Sequence, residues 1–257
     1  MTLVVGYGDS DIGFLVADSL LTPAMATNFD KGPIAGKLHG LKIQIIHPDV
    51  AIAYASSNDA DAALGLIRDL AAEIDLGQMA NVPERLFKTY TKLISTAVAG
   101  HVPDCEFLIL EIKPDGKELT HVTQKQVLRC TRAYIGDPAG YKALMVLRKP
   151  YEAPKMQSVQ QADGTFVHQP FVPKAGEQEF AEISDAMEEL VHQRRGSVGA
   201  IAGCIIRVVD ARISGKLEYM QAVEVSTFPW EGHSGFTLLA SNTGVRGVGI
   251  YYPSGKL

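Results

Sequence analysis

Two apolar runs open the chain, Leu3-Val4-Val5-Gly6-Tyr7 and Gly13-Phe14-Leu15-Val16-Ala17-Asp18, and the polar stretch Gly8-Asp9-Ser10-Asp11 divides them. Short apolar runs broken by turn-forming residues predict a β-hairpin. Residues 20–41 hold Pro23, Gly32, Pro33, Gly36 and Gly40, the mark of a long loop or of a loop around a short hairpin. Strand pattern resumes in Leu41-Lys42-Ile43-Gln44-Ile45-Ile46 and again in Ala51-Ile52-Ala53-Tyr54-Ala55. Ser56-Ser57-Asn58-Asp59 is a helix start with Ser57 or Asn58 as cap, and the helix it opens runs to about Ile74. Leu86, Phe87, Tyr90, Leu93, Ile94 and Ala97 recur at helical spacing, so residues 83–98 form a second helix beside the first.

The sheet pattern then returns. Cys105-Glu106-Phe107-Leu108-Ile109-Leu110-Glu111-Ile112, the turn Pro114-Asp115-Gly116-Lys117, and Leu119-Thr120-His121-Val122 make a second hairpin. A tight loop at Gly136-Asp137-Pro138-Ala139-Gly140 precedes a helix starting near Tyr141, and Phe180, Ile183, Met187, Leu190 and Val191 predict another over 180–192. Two strands follow, one through Ala200-Ile201-Ala202-Gly203-Cys204-Ile205-Ile206-Arg207-Val208-Val209 and its neighbour over 217–225. Strands, a helix pair, strands and further helices predict an α+β chain.

Two segments stand outside this pattern. Residues 149–176 carry Pro150, Pro154, Pro170 and Pro173 around the apolar–polar stretch Phe166-Val167-His168, and read as an inserted loop or hairpin. The tail after Phe228 is rich in aromatics and glycine, suited to strand edges or a contact between subunits. Its Gly244-Val245-Arg246-Gly247-Val248-Gly249 looks like a phosphate-binding loop but lacks the helix that such a loop needs.

Composition narrows the function classes. A length of 257 residues, 46% hydrophobic and 21% charged, is ordinary for a globular protein and allows one large domain or two small ones, and nothing in it demands a second core. The net charge of −5 gives no basic footprint for nucleic acid or an anionic membrane, so neither is expected as a partner. Cys105, Cys130 and Cys204 are odd in number and widely spaced, which favours buried thiols over a disulfide framework or a zinc site. No pattern calls for a metal or another cofactor. Without a charged leader or a long apolar run, the chain is expected in the cytoplasm.

The chemistry sits at the first residues. With Met1 removed, Thr2 carries both a hydroxyl nucleophile and an α-amine able to serve as its base, since such an amine titrates near pH ~8. The predicted hairpin returns the chain so that Asp18 ends the second strand beside Thr2. A cation held there would lower the pKa of amine and hydroxyl, and Lys42, at the head of the next strand, supplies it. Thr2, Asp18 and Lys42 are the expected catalytic residues.

Thr2-Leu3-Val4-Val5-Gly6, then Phe14-Leu15-Val16-Ala17-Asp18-Ser19 and Thr22, resembles without a gap the start of proteasome β-subunits and of the bacterial heat-shock-locus peptidase. The stretch from Lys42 to Ala53 is similar to that family's lysine strand and the strand after it, and Tyr134-Ile135-Gly136-Asp137-Pro138-Ala139-Gly140-Tyr141 extends the resemblance more weakly. The likeness covers a little over half of the chain. It implies one proteasome β-like domain over residues 1–257, with the four-layer αββα sandwich of N-terminal nucleophile hydrolases, an insertion near 149–176 and an extension near 226–257. It also implies a threonine peptidase acting on peptide or unfolded protein inside stacked homo-oligomeric rings. An ATPase or other regulator of such rings is left open.

The same resemblance assigns binding roles: backbone groups of Thr22 against bound peptide, Tyr54 in shaping the primary specificity pocket, and the strand edge at Ser56, where the family has glycine. Asp137 stands where the family has a serine near the nucleophile. Arg194 stands where the family has an aspartate, three residues before the family's serine, here Ser197. These two departures motivate the alternative of a non-catalytic ring subunit. The segments beyond the family core, 149–176 and the tail, would brace ring contacts.

Overall fold

The computed structural model describes residues 2–18, 20–21, 38–39, 42–56, 60–97, 102–152, 156–161, 164–170, 172, 174–193, 205–211, 216–222, 233–239 and 248–253. In chain order the elements begin with β1 (Leu3–Gly8), β2 (Gly13–Asp18), β3 (Leu20–Leu21), β4 (Leu38–His39), β5 (Ile43–His47), β6 (Val50–Ser56), α1 (Ala60–Asp75) and α2 (Val82–Thr96). They continue with β7 (Cys105–Lys113), β8 (Gly116–Val122), β9 (Val127–Cys130), β10 (Arg132–Gly136), α3 (Pro138–Leu147), β11 (Met156–Gln160) and β12 (Phe166–Pro170). The last are α4 (Ala175–Gln193), β13 (Ile205–Ala211), β14 (Lys216–Ala222), β15 (His233–Leu239) and β16 (Val248–Pro253). The result is a mixed α and β fold with four helices and antiparallel sheets among the described residues.

One five-stranded sheet runs β10-β1-β2-β13-β14 and another β5-β6-β7-β8-β9. The alternation of side chains along each strand sends residues to two different cores. Val4, Leu15 and Ala17 of the first sheet meet Ala51, Ala53, Leu108 and Leu110 of the second in a cluster between the sheets. Their neighbours Leu3, Val5, Phe14 and Val16 pack instead against Leu144, Ile183, Met187 and Leu190 of α3 and α4. Ile52, Phe107 and Ile109 face Ala63, Leu66, Ile67 and Leu86 of α1 and α2. Central strands covered on both faces read as continuous apolar runs, as observed in β1, β2 and β6. Each large apolar side chain so buried contributes ~1.5–3 kcal/mol relative to exposure. Gly6 lets the sheets close: a Cβ there would stand 2.9 Å from side-chain carbons of Leu119 and Leu15.

Both predicted hairpins form, β1–β2 and β7–β8. In the loop-rich stretch after Asp18, β3 pairs with β4, a short hairpin around residues outside the described set. The predicted caps Ser57 and Asn58 are likewise outside it, as are residues 200–204 of the predicted buried strand.

Two helices start earlier than their apolar spacing predicts. The helix expected near Tyr141 begins at Pro138, because the Asp137 carboxylate accepts the Ala139 N–H at 2.9 Å and proline is tolerated in a first turn. The helix expected from Phe180 begins at Ala175, where Glu177 reaches back to accept the Lys174 N–H at 2.8 Å.

The segment 149–176 contains the β11–β12 hairpin, whose root is tied down by Arg148 ion pairs to Glu179 and Glu182 and by the Tyr151 N–H to Glu182. The tail contains a further hairpin, β15–β16. Cys105 is buried, Cys130 half-buried and neither forms a disulfide, while Cys204 lies outside the described residues. Among the described residues no helix is long and apolar enough to cross a membrane, and no group of three or more His, Cys, Asp or Glu is placed to hold a metal ion.

Candidate active site at the amino-terminal strand

β2 runs antiparallel to β1, with Val4 opposite Ala17, so the end of β2 lies beside the start of β1. This puts Asp18 at the first residues of the chain, as the hairpin pattern predicts. Asp18 Oδ1 accepts the Leu3 N–H at 2.9 Å and so fixes the backbone one residue beyond Thr2. Lys42, immediately before β5, brings Nζ to 2.8 Å from both Asp18 carboxylate oxygens. Both side chains are 0% exposed. The Lys42 carbonyl in turn accepts the Tyr54 N–H at 3.1 Å, anchoring the lysine to β6.

Removal from water disfavours a charged ammonium, and burial lowers the Lys42 pKa below its ordinary 10.5 although Asp18 opposes the shift. A buried lysine charge is a useful neighbour for an amine or hydroxyl that must lose a proton, because a nearby cation disfavours the protonated amine and favours an alkoxide.

On its other side β1 pairs with β10, Leu3 standing opposite Gly136. The Asp137 N–H donates to the Thr2 carbonyl at 2.7 Å. Gly136 has φ +94°, and a Cβ there would lie 1.8 Å from the Thr2 carbonyl oxygen. Only glycine allows both that conformation and that approach. Thr2 itself is 8% exposed.

Four of the nine sequence-predicted site residues therefore converge: Thr2, Asp18, Lys42 and Asp137. Asp137 acts here through its backbone N–H, while its carboxylate caps α3. Tyr54 is buried in the core between β6 and the α1–α2 pair, its hydroxyl pKa raised to about 12 by burial and by Asp61. Ser56 ends β6 opposite Cys105, whose thiol donates to the Ser56 hydroxyl at 3.6 Å. Thr22, Arg194 and Ser197 lie outside the described residues.

Sequence reasoning passed over Glu106 and His121. Glu106 Oε2 accepts the Gly136 N–H at 3.2 Å, and His121 Nε2 stands 3.7 Å from Glu106 Oε1. The signal was present: Glu106 shares its strand face with Leu108 and Leu110, so an otherwise inward-facing row ends in a carboxylate.

The chain matches no protein-family model, and no curated protein is similar to it. The geometry of the site is thus what bears on its chemistry.

Proposed function

We propose that the chain is a threonine peptidase of the N-terminal nucleophile type, built on that class's αββα sandwich. The observation that carries this reading is the buried Lys42–Asp18 pair, tied by the Leu3 N–H to the residue next to Thr2. An internal ion pair of this kind is weak evidence for stability alone, since apolar residues of similar volume often replace it without loss. Held through Leu3 one residue along from the hydroxyl-bearing Thr2, it has a chemical use once Met1 is removed.

After removal of Met1, the Thr2 α-amine takes the hydroxyl proton as Oγ attacks a peptide carbonyl carbon. The amine then delivers that proton to the leaving nitrogen as the C–N bond breaks, and water hydrolyses the Thr2 ester to restore the enzyme. The Lys42 charge favours the neutral amine and the developing alkoxide. A backbone N–H near Ser56 is the proposed oxyanion donor. Thr22 would line the peptide cleft through its backbone groups and Ser197 would support the threonine, whereas Tyr54 packs into the core against α1 and α2 and Arg194 replaces the family's supporting aspartate. The substrate is peptide or unfolded protein, and the working form is a closed homo-oligomeric ring in the cytoplasm, which needs heterologous contacts whose rotation closes.

The second reading, a non-catalytic ring subunit, is favoured by the small exposure of Thr2 and by the Asp137 carboxylate serving as a helix cap. Intact mass of the purified protein and hydrolysis of fluorogenic peptides separate the two. The peptidase reading expects loss of Met1, turnover by the wild type, and none by Thr2→Ala or Lys42→Ala. Retention of Met1 throughout the preparation, or equal turnover by Thr2→Ala, sinks it.

A further inference from the structure

We infer that Glu106 is a positioning residue for Thr2, holding the Gly136–Asp137 turn onto the Thr2 carbonyl from the opposite sheet. Thr2 touches this turn twice, through the Asp137 N–H at 2.7 Å and through close packing of the Gly136 Cα. The turn lies at the end of β10, an edge strand, so neighbouring strands restrain it from one side only. Gly136 faces its own N–H away from β1 and toward β7, where Glu106 Oε2 accepts it at 3.2 Å. A hydrogen bond to a carboxylate is stronger than one between neutral groups, and this one spans the two sheets at the mouth of their shared core.

Three further observations suit Glu106 to the task. Its strand neighbours fix its direction, because Ala55 lies opposite it and Leu108 follows it on the inter-sheet face. His121, opposite Leu108 on β8, sits 3.7 Å from Glu106 Oε1, beyond hydrogen-bond length but within reach of electrostatic attraction. His121, with the Gly136 N–H, keeps the Glu106 carboxyl below its usual range in spite of burial, so it is ionised at neutral pH. The carboxylate also borders a cleft of about 530 Å³ lined by His121, Cys130, Arg132, Tyr134 and Tyr141, in which the two tyrosine rings stack at 3.8 Å. Glu106 and Gly136 both line this cleft, while Thr2 and Asp137 behind them are buried.

The effect on turnover rests on the peptidase reading, whereas the effect on the turn does not, and the test reads both. Amide hydrogen exchange of Gly136 and Asp137 is measured in wild type, Glu106→Ala and Glu106→Gln, with the Ile109 and Leu110 amides as a control for the fold. Glu106→Ala should speed exchange at Gly136 and Asp137 about tenfold or more, the scale of one lost hydrogen bond to a charged acceptor. Glu106→Gln keeps an acceptor oxygen and should restore most of the protection. Where the wild type hydrolyses peptides, Glu106→Ala should lower kcat with KM little changed, and Glu106→Gln should recover it. Unchanged exchange at both amides in Glu106→Ala, or equal loosening in the two variants, overturns the inference. Loosened amides in a protein whose wild type shows no hydrolysis support the positioning role and remove the peptidase reading.

Discussion

Lys42 Nζ lies 2.8 Å from each carboxylate oxygen of Asp18, and neither side chain is exposed to solvent. The two residues are held by different sheets, Asp18 ending β2 and Lys42 preceding β5, so their pairing joins the sheets at the end where the chain begins. A third contact, the Leu3 N–H to Asp18 Oδ1, gives the carboxylate a further donor and ties β1 into the same point. Satisfied in this way, the pair can survive burial that an isolated charge cannot.

Removing one partner should therefore do more harm than removing both. Lys42→Met leaves a buried carboxylate and is expected to cost roughly 3–5 kcal/mol, while Lys42→Met combined with Asp18→Asn should recover much of that loss. Urea denaturation of the two variants checks it. Equal destabilisation by the single and double changes would show that the charge left behind is not the cause.

The lowered pKa of Lys42 has a sign that can be tested. The folded lysine releases its proton at a lower pH than the unfolded one, which holds it to about 10.5. Its burial penalty applies in full below the folded pKa and is relieved as pH rises from there toward 10.5, so this group adds stability with rising pH in that window. In protein labelled with carbon-13 at the lysine ε position, the Lys42 signal should titrate with a midpoint below 10.5. A Lys42 midpoint at or above 10.5 would mean that Asp18 outweighs burial.

The strands carrying the site were legible because β1, β2 and β6 are covered on both faces and must be apolar throughout. Asp18 then stands out as the carboxylate closing such a run, and Lys42 as the cation opening one. What the sequence concealed was the partner on the other side of β1. β9 and β10 are short and partly exposed, so residues such as Arg129, Arg132 and Tyr134 show no clean alternation of polar and apolar positions. The role of Gly136 depends on a single backbone angle and one close approach, neither of which has a periodic signature. Glu106 was visible as a charge on an inward face, but its partner is a backbone N–H on a strand that pattern alone does not reveal.

Gly136→Ala should be among the most damaging small substitutions in the chain. The new Cβ meets the Thr2 carbonyl oxygen at 1.8 Å, a backbone atom that cannot swing aside as a side chain would, and φ +94° is strained for alanine. Left-handed backbone costs roughly 1–2 kcal/mol and overpacking typically ~1–3 kcal/mol more. Thermal denaturation should show the loss, and any peptide hydrolysis should fall with it because Thr2 is displaced. A variant as stable as wild type would mean that β10 does not hold the described register with β1.

Glu111 offers a test remote from the site. It is 6% exposed on β7, directly opposite Glu118 on β8, with Lys113 Nζ 3.4 Å away. Burial outweighs that lysine and raises the Glu111 pKa above its ordinary 4.5. The folded chain then holds this proton to higher pH than the unfolded chain does. The contribution of Glu111 to stability is present below about pH 4.5 and is lost as pH rises through the folded pKa, by up to about 1.4 kcal/mol per pH unit. Glu111→Gln removes the titration, so the stability of wild type minus that of the variant should decline from pH 4.5 upward and level off once Glu111 is ionised in both states. A difference that stays constant across this range would mean that Glu111 is solvated in the folded protein, and a difference that grows with pH would mean that Lys113 dominates its environment.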